Sequence, residues 1–126
     1  MIVLVDTSVW IAFLSNRAPY ATALEKLLSS DDVTGHPFVY GELLIGDRGG
    51  RQRLLVDYAQ MLQAPLVGHG EVAAFVRERR LHGRGVGWID AHLLASALVA
   101  RLQLWTADSR LATVAGELGI GYTGSR

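Results

Sequence analysis

The chain has 126 residues, half of them hydrophobic and 19% charged, which is enough apolar side chain for one folded domain and too much for a disordered segment. Twelve Lys and Arg balance twelve Asp and Glu, so no global basic field announces a nucleic-acid binder. Cysteine is absent, which excludes disulfides, thiol nucleophiles and thiolate metal sites and is what a cytoplasmic protein is expected to show.

Residues 2–5 are an unbroken Ile-Val-Leu-Val run, the pattern of a strand buried on both faces. The run stops at Asp6 with no basic residue before it, so a signal peptide is not expected. Thr7 or Ser8 can cap a short helix through Leu14, and Pro19 can open a second helix that ends at Ser30. Val33 and Thr34 suggest a weak strand, and His36-Pro37 starts a helix through Ile45. Residues 51–62 and 70–81 are amphipathic at helical spacing, with a short strand candidate at 65–67 between them. The glycine-rich loop 82–87 precedes a strongly apolar helix at 88–101. Its apolar run, 91–100, is too short to span a bilayer, so no membrane association is expected. A strand at 102–105, a helix at 108–118 and a last strand at 120–122 complete the chain. The alternation predicts an α/β fold: one domain over 1–126, with a mostly parallel sheet of about five strands and helices on both faces.

Eight of the twelve acids fall on polar faces or in loops; four do not. Asp6 and Asp108 each end a predicted strand and precede a helix, where helix capping is the plain explanation. Glu42 is the only charge in a helix that is apolar on nearly every side. Asp90 lies in the first turn of a strongly apolar helix, where the dipole favours an acid. In a parallel sheet the two strand ends lie on one edge, and both apolar helices must pack onto that sheet. Four carboxylates brought together repel and raise one another's pKa unless a cation sits among them. An all-oxygen set suits Mg²⁺ or Mn²⁺ better than Zn²⁺.

Val5-Asp6-Thr7-Ser8 with Trp10-Ile11, Glu42-Leu43, Trp88-Ile89-Asp90-Ala91 with Leu94-Ala95, and Thr106-Ala107-Asp108 together resemble PIN-domain nucleases, most closely VapC-type toxins of toxin–antitoxin pairs. The resemblance covers essentially the whole chain, and all four acids of the family pattern are present. It implies that Asp6, Asp90 and Asp108 bind Mg²⁺ or Mn²⁺ and that Glu42 completes the cluster as ligand or base. Thr7, Ser8 and Thr106 would support the site. The implied reaction is hydrolysis of RNA by an activated water, leaving 5′-phosphate and 3′-hydroxyl ends. A homodimer and a VapB-like antitoxin, whose tail occupies the active-site groove, are implied partners.

RNA next to an acidic pocket needs cations. Eleven of the twelve are Arg, which suits phosphate, although a GC-rich genome gives the same bias. Arg77, Arg79, Arg80 and Arg84 are the candidates for RNA contact, with Arg48, Arg51 and Arg53 as a second patch; a solvated helix end is the competing explanation. His92 is expected to be a hydrogen-bonded core residue, since it does not share a helix face with Asp90. Trp10, Trp88 and Trp105 are expected in the core or an interface. Two other functions compete: a PIN-like module that binds RNA or a partner without cleavage, and a phospho-accepting receiver-like domain. The receiver needs an early acid pair and a later Lys, and this chain has one early acid and only Lys26.

Overall fold

Val3–Val5 forms β1, the central strand of the computed structural model, which describes residues 2–124. All three side chains are fully buried. Successive residues of a strand point to opposite faces, so both faces of the sheet are covered. β2 (Val33–Thr34) and β3 (Gln103–Trp105) flank β1 in the order β2-β1-β3, and both pairings are parallel. Val3 stands opposite Val33 and Gln103, and Val5 opposite Trp105.

Among the described residues there are also seven helices: α1 (Thr7–Leu14), α2 (Tyr20–Ser29), α3 (Pro37–Ile45), α4 (Gln52–Gln60), α5 (His69–Glu78), α6 (Trp88–Ala100) and α7 (Ser109–Glu117). Each lies where the sequence pattern puts it, to within a few residues at its ends. α6 is the central helix: its seven consecutive residues 91–97 are all buried. α1 packs on α2, α3 on α4, α5 on α6, and α6 on β3.

Among the described residues the sheet has three strands, not about five. The predicted strands at 65–67 and 120–122 are replaced by single parallel bridges, Gly35 with Gln63 and Leu104 with Gly121. On one edge the ladder is Gly35 N–H to Leu62 O and Ala64 N–H to Gly35 O, and then Pro65 arrives with no N–H to continue it. On the other edge Leu104 N–H reaches Ile120 O and Tyr122 N–H reaches Leu104 O, and the pairing stops there.

A buried polar cluster stiffens the layer beneath α3. His36 is fully buried, its Nε2 lies 3.0 Å from Ser96 Oγ, and its Nδ1 accepts the Phe38 N–H that opens α3. Ser96 Oγ also donates to Pro65 O at 2.6 Å, and Tyr58 Oη accepts the His36 N–H at 2.8 Å. Burial, with His92 as a smaller contributor, lowers the His36 pKa to about 4. His92 is in the core as expected, but its Nδ1 is buried without a hydrogen-bond partner and its ring is held between Phe38 and Trp88.

Candidate active site

Because β1 is central and its neighbours are parallel, the ends of β1 and β3 meet at one edge, at the point where the chain's crossovers change direction. Asp6 is the residue after β1. It holds the N-cap position of α1, yet its side chain makes no capping bond. Instead Ser8 Oγ and Thr106 Oγ1 both donate to Asp6 Oδ2 at 2.7 Å. The same hydroxyls are acceptors for backbone: Ala107 N–H donates to Ser8 Oγ at 2.9 Å and Asp108 N–H to Thr106 Oγ1 at 3.0 Å. Asp6 N–H donates to Trp105 O. These bonds tie residues 6–8 to 105–108 and load one carboxylate oxygen of Asp6 with two hydroxyls, leaving the other to face elsewhere.

The other acids arrive from three helices. Glu42, on α3, accepts a hydrogen bond from Thr7 Oγ1 on Oε1. Asp90, in the first turn of α6, accepts the Gly87 N–H on Oδ2 at 3.0 Å. Asp108 caps α7: its Oδ1 accepts the N–H groups of Arg110 and Leu111 at 2.9 and 3.1 Å. Capping therefore accounts for one oxygen of Asp108 and for none of Asp6. Burial raises the Asp90 carboxyl above the ordinary carboxylate range; the Gly87 bond opposes this, and the charges of Asp6, Asp108 and Glu42 add to it. All four acids thus act on one neighbourhood. Among the described residues none of the four has an Arg, Lys or His within ion-pair distance.

Among those residues, too, no three acid or imidazole side chains stand close enough together to ligate one ion directly. A hard cation does not require that. Mg²⁺ keeps several of its waters and takes one or two carboxylates directly. An oxygen-only set of uncompensated carboxylates, one of them pushed toward protonation by burial and, to a smaller extent, by its neighbours, fits that mode of binding.

The arginine candidates are placed differently from one another. Arg84 forks onto Glu117 of α7, with Nη1 and Nη2 at 3.1 and 2.9 Å from its two carboxylate oxygens. Arg77 lies in the last turn of α5, Arg79 is its C-cap and Arg80 follows with φ 54°; all three are exposed. In the second patch, Arg51 donates to Leu43 O and Arg53 pairs with Asp57. Trp10 and Trp105 are buried, whereas Trp88 is 43% exposed. Trp88 lines, with Phe38, Gly41, Ile45 and Ile89, an apolar groove of about 390 Å³ that contains Glu42. Sequence reading missed this groove, although its signal was present: α3 is apolar on every side, but only Val39 and Leu43 are buried.

The PIN-domain family model matches residues 3–117, a span that contains all four acids. The chain belongs to the PIN-domain family. This PIN domain is 46% identical over 119 residues to Ribonuclease VapC32 of Mycobacterium tuberculosis, in both strain CDC 1551 / Oshkosh and strain ATCC 25618 / H37Rv, covering 94% of each chain. At the level of fold, the PIN domain is similar to the crystal structure of PAE2754 from Pyrobaculum aerophilum, with a TM-score of 0.56 and 17% identity over 94% of this chain and 90% of that one. No helix among the described residues is long and apolar enough to cross a membrane.

Proposed function

We propose that residues 1–126 form one PIN domain that acts as a Mg²⁺- or Mn²⁺-dependent endoribonuclease, the cytoplasmic toxin of a toxin–antitoxin pair. The observation that carries this reading is the gathering of Asp6, Glu42, Asp90 and Asp108 about the ends of β1 and β3 with no cation of the described residues within ion-pair distance of them. The kinship with a protein named Ribonuclease VapC32 supports RNA as the substrate.

Asp6, Asp90 and Asp108 would hold the cation, directly or through water, with Glu42 completing the set. When bound, the cation supplies Lewis acidity and offsets charge on the phosphodiester. Thr7 fixes Glu42, which orients the attacking water and accepts its proton. The water oxygen bonds to phosphorus as the bond to the 3′ oxygen breaks. That oxygen takes a proton from solvent, leaving 5′-phosphate and 3′-hydroxyl ends. Ser8 and Thr106 hold Asp6 in one orientation by filling Oδ2. Arg77, Arg79 and Arg80 are available to the RNA backbone, while Arg84 must first exchange Glu117 for phosphate. A VapB-like antitoxin would lay its tail in the apolar groove beside Glu42, with a basic side chain among the acids, and the chain would work as a homodimer.

That no three of the four acid side chains, among the described residues, stand close enough to ligate one ion directly favours one alternative, a module that binds RNA or a partner without cutting. Incubating the protein with RNA in Mg²⁺, in Mn²⁺ and in chelator, beside Asp6→Asn, separates the two. Cleavage that needs metal and is lost in the variant is expected. Binding without metal-stimulated cleavage supports the alternative.

A further inference from the structure

The start of α2 and the segment after α7 enclose a second cleft, which Thr106 also lines. Its walls are aromatic. Tyr20 lies 6.0 Å from Trp105 between ring centroids, tilted by 37°, and Tyr122 meets Trp105 edge-on at 5.3 Å. Trp105 is buried and forms the back wall, with the backbone of Gly124 running across its indole. Tyr20 and Tyr122 are half-buried and present ring surface to the cleft. The ring faces, rather than the hydroxyls, are what these two tyrosines offer the cleft.

The cleft has two ends of different chemistry. The inner one, about 310 Å³, reaches Thr106, whose hydroxyl is bonded to Asp6 Oδ2. The outer one, about 610 Å³, shares Pro19, Ala23, Tyr122 and Gly124 with the inner cavity and reaches Lys26. Lys26 is the chain's only lysine, is exposed on the last turn of α2, and has no acid within ion-pair distance among the described residues.

We propose that this cleft is the subsite for an unpaired nucleotide flanking the bond to be cut. Its base lies against Tyr20 and Tyr122, and its phosphate meets Lys26. The inference rests on the reading of the acids as an RNA-hydrolysing site, because continuity through Thr106 is what makes the occupant a nucleotide of that strand. The charges point the same way. At the outer end Lys26, with no acid within ion-pair distance among the described residues, marks where a phosphate finds a partner. Volumes of this size are those of small-molecule pockets, and aromatic faces are usable only by a base that has left its helical stack. The ligand class is therefore single-stranded RNA.

The test compares wild type with Tyr20→Leu, Tyr122→Leu, Tyr122→Phe and Lys26→Ala in Mn²⁺. Steady-state cleavage of a single-stranded oligoribonucleotide is measured together with its binding in chelator by fluorescence anisotropy. Circular dichroism checks that each variant is folded. Loss of one stacking ring is expected to raise KM and the dissociation constant about tenfold while kcat stays within about twofold. Tyr122→Phe keeps the ring and is expected to behave as wild type, an outcome that a merely structural tyrosine hydroxyl does not give. Lys26→Ala, at an exposed position, is expected to weaken binding and to flatten its salt dependence by about one counterion. Unchanged KM and binding in the two Leu variants and in Lys26→Ala, with the wild type cutting normally, overturn the subsite and leave the nuclease standing. Weakened binding in those variants with no cleavage by the wild type keeps the subsite and removes the nuclease. Absence of both binding and cleavage in the wild type overturns both.

Discussion

Asp6 and Asp108 occupy equivalent positions, each between a strand and a helix, and their side chains do different work. Asp108 satisfies two N–H groups at the start of α7, so Asp108→Ala should cost about 1 kcal/mol of stability as well as activity. Asp6 caps nothing, and an Asn oxygen can still accept from Ser8 and Thr106. Asp6→Asn is therefore expected to unfold at the wild-type temperature or slightly above it while cutting RNA at least 100-fold more slowly. Thermal melts and cleavage rates on the two variants check this pair, and a large loss of stability in Asp6→Asn sinks the distinction. His36 gives a second prediction. Its folded pKa, about 4, lies below the unfolded value of 6.5, so between them the unfolded chain binds more protons. The stability from keeping it neutral is complete above pH 6.5 and is lost as pH falls toward 4, by about 3 kcal/mol. Asp90, with a raised carboxyl pKa, acts in the opposite sense, gaining stability as it protonates. Urea midpoints across pH 7.5 to 4.5 should fall for the wild type and fall less for His36→Gln, which keeps hydrogen-bonding capacity but does not titrate. Equal slopes for the two proteins would show that His36 does not carry the effect.

α6 shows what an all-apolar helix can and cannot tell a reader of sequence. Its lack of a polar face announces a central position, and residues 91–97 are indeed all buried. Leu93→Ala is expected to cost about 2–5 kcal/mol, whereas Val99→Ala, at a position 66% exposed, should stay within about 0.5 kcal/mol. Chemical denaturation measures both, and similar losses at the two sites would contradict the burial pattern. α3 is equally apolar but is not central: Leu44 and Ile45 face outward, and the helix forms one wall of the groove around Glu42. The pattern alone does not distinguish a helix buried in its own core from one kept apolar to form a groove wall. Strand candidates failed for a comparable reason. Apolar composition at 65–67 and 120–122 was legible, but whether a ladder continues depends on a partner's length and on a proline's missing N–H. Asp6 and Asp108 stood out in the sequence because each ends a predicted strand, and Glu42 and Asp90 because each sits on an apolar helix. The hydroxyls at Ser8 and Thr106 were readable only as generic support, because their bonds join residues about a hundred positions apart.

At the scale of the whole molecule, the acids are a store of repulsion that a ligand can relieve. Mg²⁺ or Mn²⁺ at 100 times its dissociation constant should stabilise the fold by about 2.7 kcal/mol, on the order of 5–10 °C in melting temperature. The gain should shrink in acid, because the Asp90 carboxyl must lose its proton to help hold the ion and its pKa is raised. Asp90→Asn should abolish most of the gain. Scanning calorimetry with and without metal, for both proteins, reads this independently of any RNA; an equal shift in the variant would place the ion elsewhere. The bond between Thr106 and Asp6 has a further consequence, which concerns the making of the protein. Residues 6–8 are synthesised about a hundred positions before their partner Thr106, and β1 has no neighbour on that edge until residues 103–105 exist. A ribosome carrying the unfinished chain therefore carries an inert one. Translation that stops before Trp105 releases fragments that lack both Thr106 and Asp108 and cannot assemble the acid site. For a protein proposed to harm its own cell, activity then begins only after residue 108 has been made, which gives an antitoxin made alongside it time to be present.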